Sequence, residues 1–280
     1  MKKIKIVTDS TADLTKEQVE AMGITIVPLN VLVDGETYVD GVDFTPTEYL
    51  EKLKNAAELP KSSQPATGAF AEVFTKLHEE GYDIICILIS EHISGTYQSA
   101  KMAAEMTGAN VAVHSSHSAT CGEQIQILEA YRMIEDGHNL EEIIARLEAV
   151  RNEVKLYIGV DSVENLVKGG RLSKGKGLLT QLLNIKPIIV FKDGSMEPDH
   201  KVRSMNQVAK YFIEKLEQDL EGKEIKYLYA IHVGAEESAQ AFAKELAERY
   251  SLESVPVVAG TAVLATHVGP GTMAICYFCE

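Results

Sequence analysis

The residues of this chain best suited to chemistry stand at Ser94-Gly95-Thr96, where hydroxyls cluster between an apolar run and a helical stretch. The run Ile84 to Ile89 reads as a strand buried on both faces of a parallel sheet. Beyond it, Tyr97, Ala100, Ala103 and Ala104 recur at helical spacing. A strand, a hydroxyl-bearing loop and a helix start aim backbone N–H groups and hydroxyls at one point, which suits an anion. No lysine lies between Asp83 and Ala100, so that anion need not be a polyphosphate.

Other patches compete for a role. Lys61-Ser62-Ser63-Gln64-Pro65-Ala66-Thr67 offers hydroxyls that can meet Ser94 across a cleft; taken alone it is a proline-containing loop with Thr67 as N-cap. His267 stands just before Gly269-Pro270-Gly271, a tight turn that holds one imidazole in a set position. The segment Gly170 to Gly177 nearly repeats the phosphate-loop pattern, but Gly177 replaces the hydroxyl that ligates magnesium, and residues 163–167 read as helix rather than strand. Gly169 and Gly170 more simply end that helix, leaving Arg171 within reach of a ligand or partner.

His114, His117 and Cys121 have a spacing compatible with a metal, in a polar loop after a strand at 110–113, with no fourth ligand nearby. Cys276 and Cys279 fall on opposite faces of a closing strand and read as structural. With no G-x-S-x-G elbow, nucleophilic catalysis reduces to His267 paired with a loop serine.

The elements that must position these groups alternate between helix and strand, which sets the class as α/β. With 280 residues, 45% of them hydrophobic and 24% charged, the chain has the composition of a soluble protein. Its length predicts two domains, 1–155 and 156–280, divided where a charged stretch gives way to a strand at Leu156. Thr15 with Gln18, Thr45-Pro46 with Glu48, and Asn139 with Glu142 mark helix starts as capping boxes. Ile24 to Val33 reads as one strand meeting an Asp34-Gly35 hairpin turn. In the second half the pattern gives helices at 162–168, 178–183, 205–220 and 236–249, and strands at 187–191, 225–233 and 273–278. The net charge of −14 argues against nucleic acid and against standing attachment to an anionic membrane, while leaving room for transient contact. Four cysteines without a disulfide framework and an amino terminus that reads as a first strand point to the cytoplasm.

Five motifs in register resemble the DegV family of bacterial fatty-acid-binding proteins: Val7-Thr8-Asp9-Ser10 with its continuation to Leu14, Lys61-Ser62-Ser63-Gln64-Pro65, Ser94-Gly95-Thr96-Tyr97-Gln98, Gly169-Gly170-Arg171-Leu172-Ser173, and His267-Val268-Gly269-Pro270-Gly271. The resemblance covers essentially the whole chain. It implies two α/β domains, the first with a mainly parallel sheet and the second with a mixed sheet, enclosing a long-chain fatty acid between them. It implies no cofactor, no metal and no turnover. A fatty acid kinase would be the protein partner, phosphorylating the carboxylate to an acyl phosphate for phospholipid synthesis.

By the same resemblance, Ser62, Ser94, Gly95, Thr96 and His267 hold the carboxylate, and Arg171 and Arg203 are basic positions at the pocket mouth or kinase face. Two departures stand out. Glu91-His92 replaces a small Ser-Gly pair, and Ser115-Ser116 replaces Asp-Ser. Glu91 would disfavour a carboxylate ligand unless it points away or is paired. The alternatives are a small hydrolase or phosphotransferase using His267 and a loop serine, and a binder of another carboxylate or of a metal.

Overall fold

The computed structural model describes residues 3–172 and 185–280. Strands β1 (Ile4–Asp9), β2 (Thr25–Val27), β3 (Asn30–Val33), β4 (Glu36–Val39) and β5 (Lys61–Ser63) alternate with helices α1 (Lys16–Met22) and α2 (Pro46–Asn55). Then follow α3 (Thr67–Glu79), β6 (Asp83–Leu88), α4 (Thr96–Thr107), β7 (Val111–Ser115), α5 (Cys121–Glu135) and α6 (Leu140–Glu153). The remainder carries β8 (Lys155–Gly159), α7 (Glu164–Lys168), β9 (Lys186–Lys192), β10 (Ser195–Val202), α8 (Met205–Asp219) and β11 (Ile225–Val233). Helix α9 (Glu236–Tyr250), β12 (Val257–Ala259), α10 (Ala262–Val268) and β13 (Thr272–Cys279) complete it.

The first sheet is parallel throughout, in the order β2-β1-β6-β7. The unbroken apolar run of β6 is explained by what covers it. Ile85 and Ile87 pack with Ile127, Ile143 and Leu147 on one face; Ile84, Cys86 and Leu88 pack with Phe70, Phe74 and Ala100 on the other. Helices on both faces leave no solvent side, so alternation is lost. The second sheet is mixed, β10-β9-β8-β13-β11-β12, with only the β11–β12 pairing parallel among the described strands. One of its faces is covered by α8 and α9 through Phe212, Leu216, Phe242 and Leu246. Its other face meets Cys121 and Ile125 of α5 and leaves the space described below.

Local signals formed as their chemistry requires. The capping boxes at Thr15, Thr45 and Asn139 are closed in both directions, and Asp34 and Gly35 both take positive φ in the β3–β4 turn. Several expectations need correction. Ile24 to Val33 is two strands broken at Pro28, β2 in the parallel sheet and β3 in a small antiparallel sheet ordered β4-β3-β5. Ser62 is not on a free loop but in β5, paired with Val31. Ala66, not Thr67, precedes α3 as its cap. His114 lies within β7, and Cys121 opens α5 rather than closing a polar loop. The helix expected at 178–183 and the basic stretch from Ser173 to Gly177 lie outside the described residues.

Candidate functional site

A cavity opens on the inner face of the six-stranded sheet. Leu156, Ile158, Ile231 and Ala274 floor it, and Ile93, Val263 and Val268 stand opposite. It takes in about 740 Å³ of space not filled by protein atoms, crevices and mouth included. Its polar side chains are Ser62, Ser94, Thr120, Arg171, His232, His267 and Thr272, and no acidic side chain lines it among the described residues.

Ser62 and His267 meet directly: the Ser62 hydroxyl and His267 Nε2 are 2.7 Å apart. The sequence placed His267 in a tight turn, whereas it occupies the last turn of α10, and the glycine–proline turn begins at the C-cap Gly269. That helix is pinned from three sides. At its start, Asp13 accepts the Thr261 N–H at 3.1 Å and Asp40 accepts the Val263 N–H at 3.2 Å. At its end, the Asn165 amide donates to Thr266 O at 3.1 Å. On its flank, the Tyr49 and Thr266 hydroxyls are hydrogen-bonded. Backbone N–H groups at a helix start otherwise lack partners, so two buried carboxylates fix both the tilt and the position of α10.

Those carboxylates are themselves perturbed. Burial, with Asp40 and Asp9 as like-charged neighbours, raises Asp13 to about 8 despite its hydrogen bonds from Thr120 and Thr261. Burial likewise raises Asp9 to about 6. His267 moves the other way. Burial, then the Arg171 charge, brings it down to about 4, so the imidazole is neutral at ordinary pH. Its Nδ1 is buried with no partner among the described residues. A Cβ on Gly169 would fall 2.8 Å from that nitrogen, so only glycine leaves room for the ring.

Ser94 stands at the loop before α4, its hydroxyl 2.8 Å from that of Thr96. Thr96 is fully buried and does not reach the cavity. Gly95 does not line it either; a Cβ there would meet the Gln64 side chain at 2.3 Å. The loop of Ser94 and the strand of Ser62 are therefore brought together through Gln64, whose amide also reaches Ser99 at 3.3 Å. Arg171 lines the cavity with its guanidinium on two carbonyls, Ile93 O at 3.1 Å and Gly169 O at 2.6 Å. It has no carboxylate partner among the described residues, and its only cause of shift is burial, which lowers it. Arg203 is exposed ahead of α8, its N–H donating to Gln207.

Glu91 points away from the cavity. Its carboxylate accepts from the Ser115 hydroxyl and faces His117 Nε2 at 3.3 Å. His114, Cys121 and His117 do not gather: His114 is buried against Gln126 at 2.7 Å, and Cys121 is buried beneath the second sheet. Cys276 and Cys279 are free and buried in β13. Sequence reasoning missed Asp13 and Asp40 as supports of α10, and Thr120 and His232 as lining. An aspartate in a turn after a strand gives no sign that it will be buried against a helix more than 200 residues later.

A family model described as "Uncharacterised protein, DegV family" matches residues 3–280. A DegV domain-containing protein of Listeria monocytogenes is 38% identical over 281 residues, covering 100% of each chain. A DegV family protein from Thermus thermophilus, described as binding fatty acid, superposes with a TM-score of 0.93 at 33% identity over 100% of both chains. A stearic acid-binding protein from Eubacterium ventriosum gives 0.89 at 30% identity over 98% of each.

Proposed function

The chain belongs to the DegV family, and on that premise we propose that it is a carrier holding a long-chain fatty acid in this cavity, between units 1–155 and 156–280. The observation that carries the reading is the make-up of the cavity. Its walls are apolar, its polar groups include two hydroxyls, an imidazole and an arginine without an acidic partner, and no carboxylate lines it among the described residues.

Such a lining is matched to a monoanion with a long apolar tail. Ser62 and Ser94 donate to the carboxylate, and Arg171 supplies the compensating charge. Gly95 and Thr96 set the loop rather than touch the ligand. His267 is neutral, and in its Nε2–H tautomer it donates to Ser62 Oγ and leaves the serine proton for the carboxylate. At about 0.8 kcal/mol per methylene, an acyl chain of about sixteen carbons contributes roughly 12 kcal/mol of gross driving force. Immobilising it offsets part of that gain.

A hydrolase reading draws on the same Ser62–His267 pair, and the pair's surroundings disfavour it. A general base needs a pKa near the working pH and a group that orients its second nitrogen. His267 is held near 4, and its Nδ1 has no partner among the described residues. The carrier presents its ligand to a cytoplasmic fatty acid kinase, with Arg203 on the approach side, and the acyl phosphate formed enters phospholipid synthesis. No helix among the described residues is long and apolar enough to cross a membrane.

Titrating the delipidated protein with a carboxyl-labelled fatty acid, followed by NMR of the label, tests the binding step. One saturable site with a shifted carboxyl resonance is expected; a resonance unchanged at excess protein contradicts it. Adding a fatty acid kinase and ATP tests presentation: acyl phosphate should form only when carrier is present.

A further inference from the structure

Glu91 and His92 come together in space with Ser115 and His117. We propose that Glu91, His92 and His117 form a site for a divalent transition-metal ion of the zinc class, separate from the acyl cavity. None of the three residues lines that cavity.

Their placement follows from the topology. Glu91 and His92 lie in the loop after β6, and His117 lies in the loop after β7, its parallel neighbour. Both loops leave the carboxyl ends of adjacent parallel strands, so the sheet sets them side by side. One ligand atom from each of the three residues lies within 4.8 Å of the other two. Glu91 Oε1 and His117 Nε2 are 3.3 Å apart. Two ligands on a tetrahedral zinc, with bonds of about 2.0–2.1 Å, stand roughly 3.3 Å from each other. The His92 and His117 rings meet edge to face, with centroids 5.6 Å apart.

The surroundings are built. The buried Ser115 hydroxyl holds one oxygen of Glu91 and so turns the other toward His117, as outer-shell partners do for metal-ligating carboxylates. His117 holds a left-handed φ of 51°, a conformation that His tolerates better than most residues. The turn between β9 and β10 closes one wall. Ser90 Oγ donates to Gly194 O at 2.7 Å, and a Cβ on Gly194 would lie 2.6 Å from His92 Cδ2 and 3.2 Å from His117 Cγ. Only glycine lets this turn pack against both imidazoles. With the Glu91 and His117 side chains 32% and 23% exposed, an ion can enter and keep an open position to water.

The donor set selects the ion. Two imidazoles and one carboxylate suit zinc and its neighbours; calcium and magnesium require oxygen ligands throughout. The opposing charge is Arg151, whose guanidinium donates to Ser115 O at 3.4 Å; the Glu91 carboxylate offsets it. Histidine 25 residues from its companion gives no spacing motif, so the sequence alone paired His117 with the wrong partners.

The test uses untagged full-length protein stripped with a chelator, titrated with Zn²⁺ by calorimetry and with Co²⁺ by visible absorption. One equivalent should bind, with Co²⁺ giving the d–d bands of a low-coordinate site. His92→Gln and His117→Asn should each weaken Zn²⁺ binding at least ~10-fold without moving the metal-free melting curve. If His117→Asn does not fold, His92→Gln, at an exposed position, decides alone. No binding by the wild type overturns the proposal, and so does wild-type affinity in His92→Gln, which would assign the bound ion to other surface histidines.

Discussion

Ser62 Oγ and His267 Nε2 lie 2.7 Å apart although 205 positions separate them in the chain. One comes from an edge strand of the small antiparallel sheet and the other from the last turn of α10, so the contact exists only when the two halves of the chain are assembled. It also sets the chemistry of the cavity's polar end. An imidazole brought down to about 4 is too weak a base to activate the serine it bonds, so the pair presents a hydroxyl.

Removing that donor should weaken fatty-acid binding without unfolding the protein. A hydrogen bond to a charged group is worth about 1.5–3 kcal/mol, which is roughly 10- to 150-fold in Kd. Ser62→Ala is expected to lose affinity in that range and Ser62→Thr, which keeps the hydroxyl, to stay near the wild type. Competition binding with a fluorescent fatty acid measures both. Equal affinities in all three proteins would remove Ser62 from the site.

Gly169→Ala isolates the ring's position from its identity. The backbone there is helical, with φ −72°, so alanine needs no left-handed conformation, although its Cβ would also crowd Asn165 O at 2.9 Å. Its Cβ would press on His267 Nδ1 at 2.8 Å and force the imidazole off Ser62. An affinity loss of about tenfold, near the cost of one hydrogen bond, is expected, with a lowered melting temperature from the Asn165 contact. A variant that binds normally would show that the ring has room to spare.

The buried carboxyls make stability depend on pH in an uncommon direction. Asp13 is raised from 3.8 to about 8 and Asp9 to about 6, chiefly by burial. Across that window the native protein holds protons that the unfolded chain has lost, so stability falls as pH rises. His267 and His114, both brought down to about 4 from 6.5, act oppositely, but only below about pH 6.5. Above it the buried carboxyls, Asp40 and Glu123 among them, are joined toward about pH 8.5 by the buried thiols, which burial also raises and which act in the same direction. The melting temperature should therefore fall between about pH 6.5 and 8.5, and Asp13→Asn should flatten the slope. Calorimetry across that range checks it; a melting temperature that rises with pH contradicts the assignment.

What could be read from the sequence followed the physics of each signal. Capping boxes at Thr15, Thr45 and Asn139 and the turn at Asp34-Gly35 depend on neighbours within four residues, and each formed. The run Ile84–Ile89 announced a doubly covered strand because burial on both faces erases alternation. The split at Pro28 was hidden because apolar residues continue on both sides of it. Strand β5 was hidden because Lys61-Ser62-Ser63 has no apolar residue; its register is set by β3, not by its own pattern. Helix α10 was masked by the Gly269-Pro270-Gly271 turn that follows it. At the site, Ser62, Ser94, Arg171 and His267 stood out by residue type and spacing and took their roles from motif resemblance, whereas the supports Asp13 and Asp40 depend on long-range packing that no local spacing encodes.

The carrier reading is tested most directly by extracting lipid from the purified protein and identifying it by mass spectrometry alongside native mass measurement of the intact complex. One fatty acid per chain, retained through purification or taken up by the delipidated protein when offered, is the predicted result. A protein that purifies empty and gains no mass with excess long-chain fatty acid would contradict it.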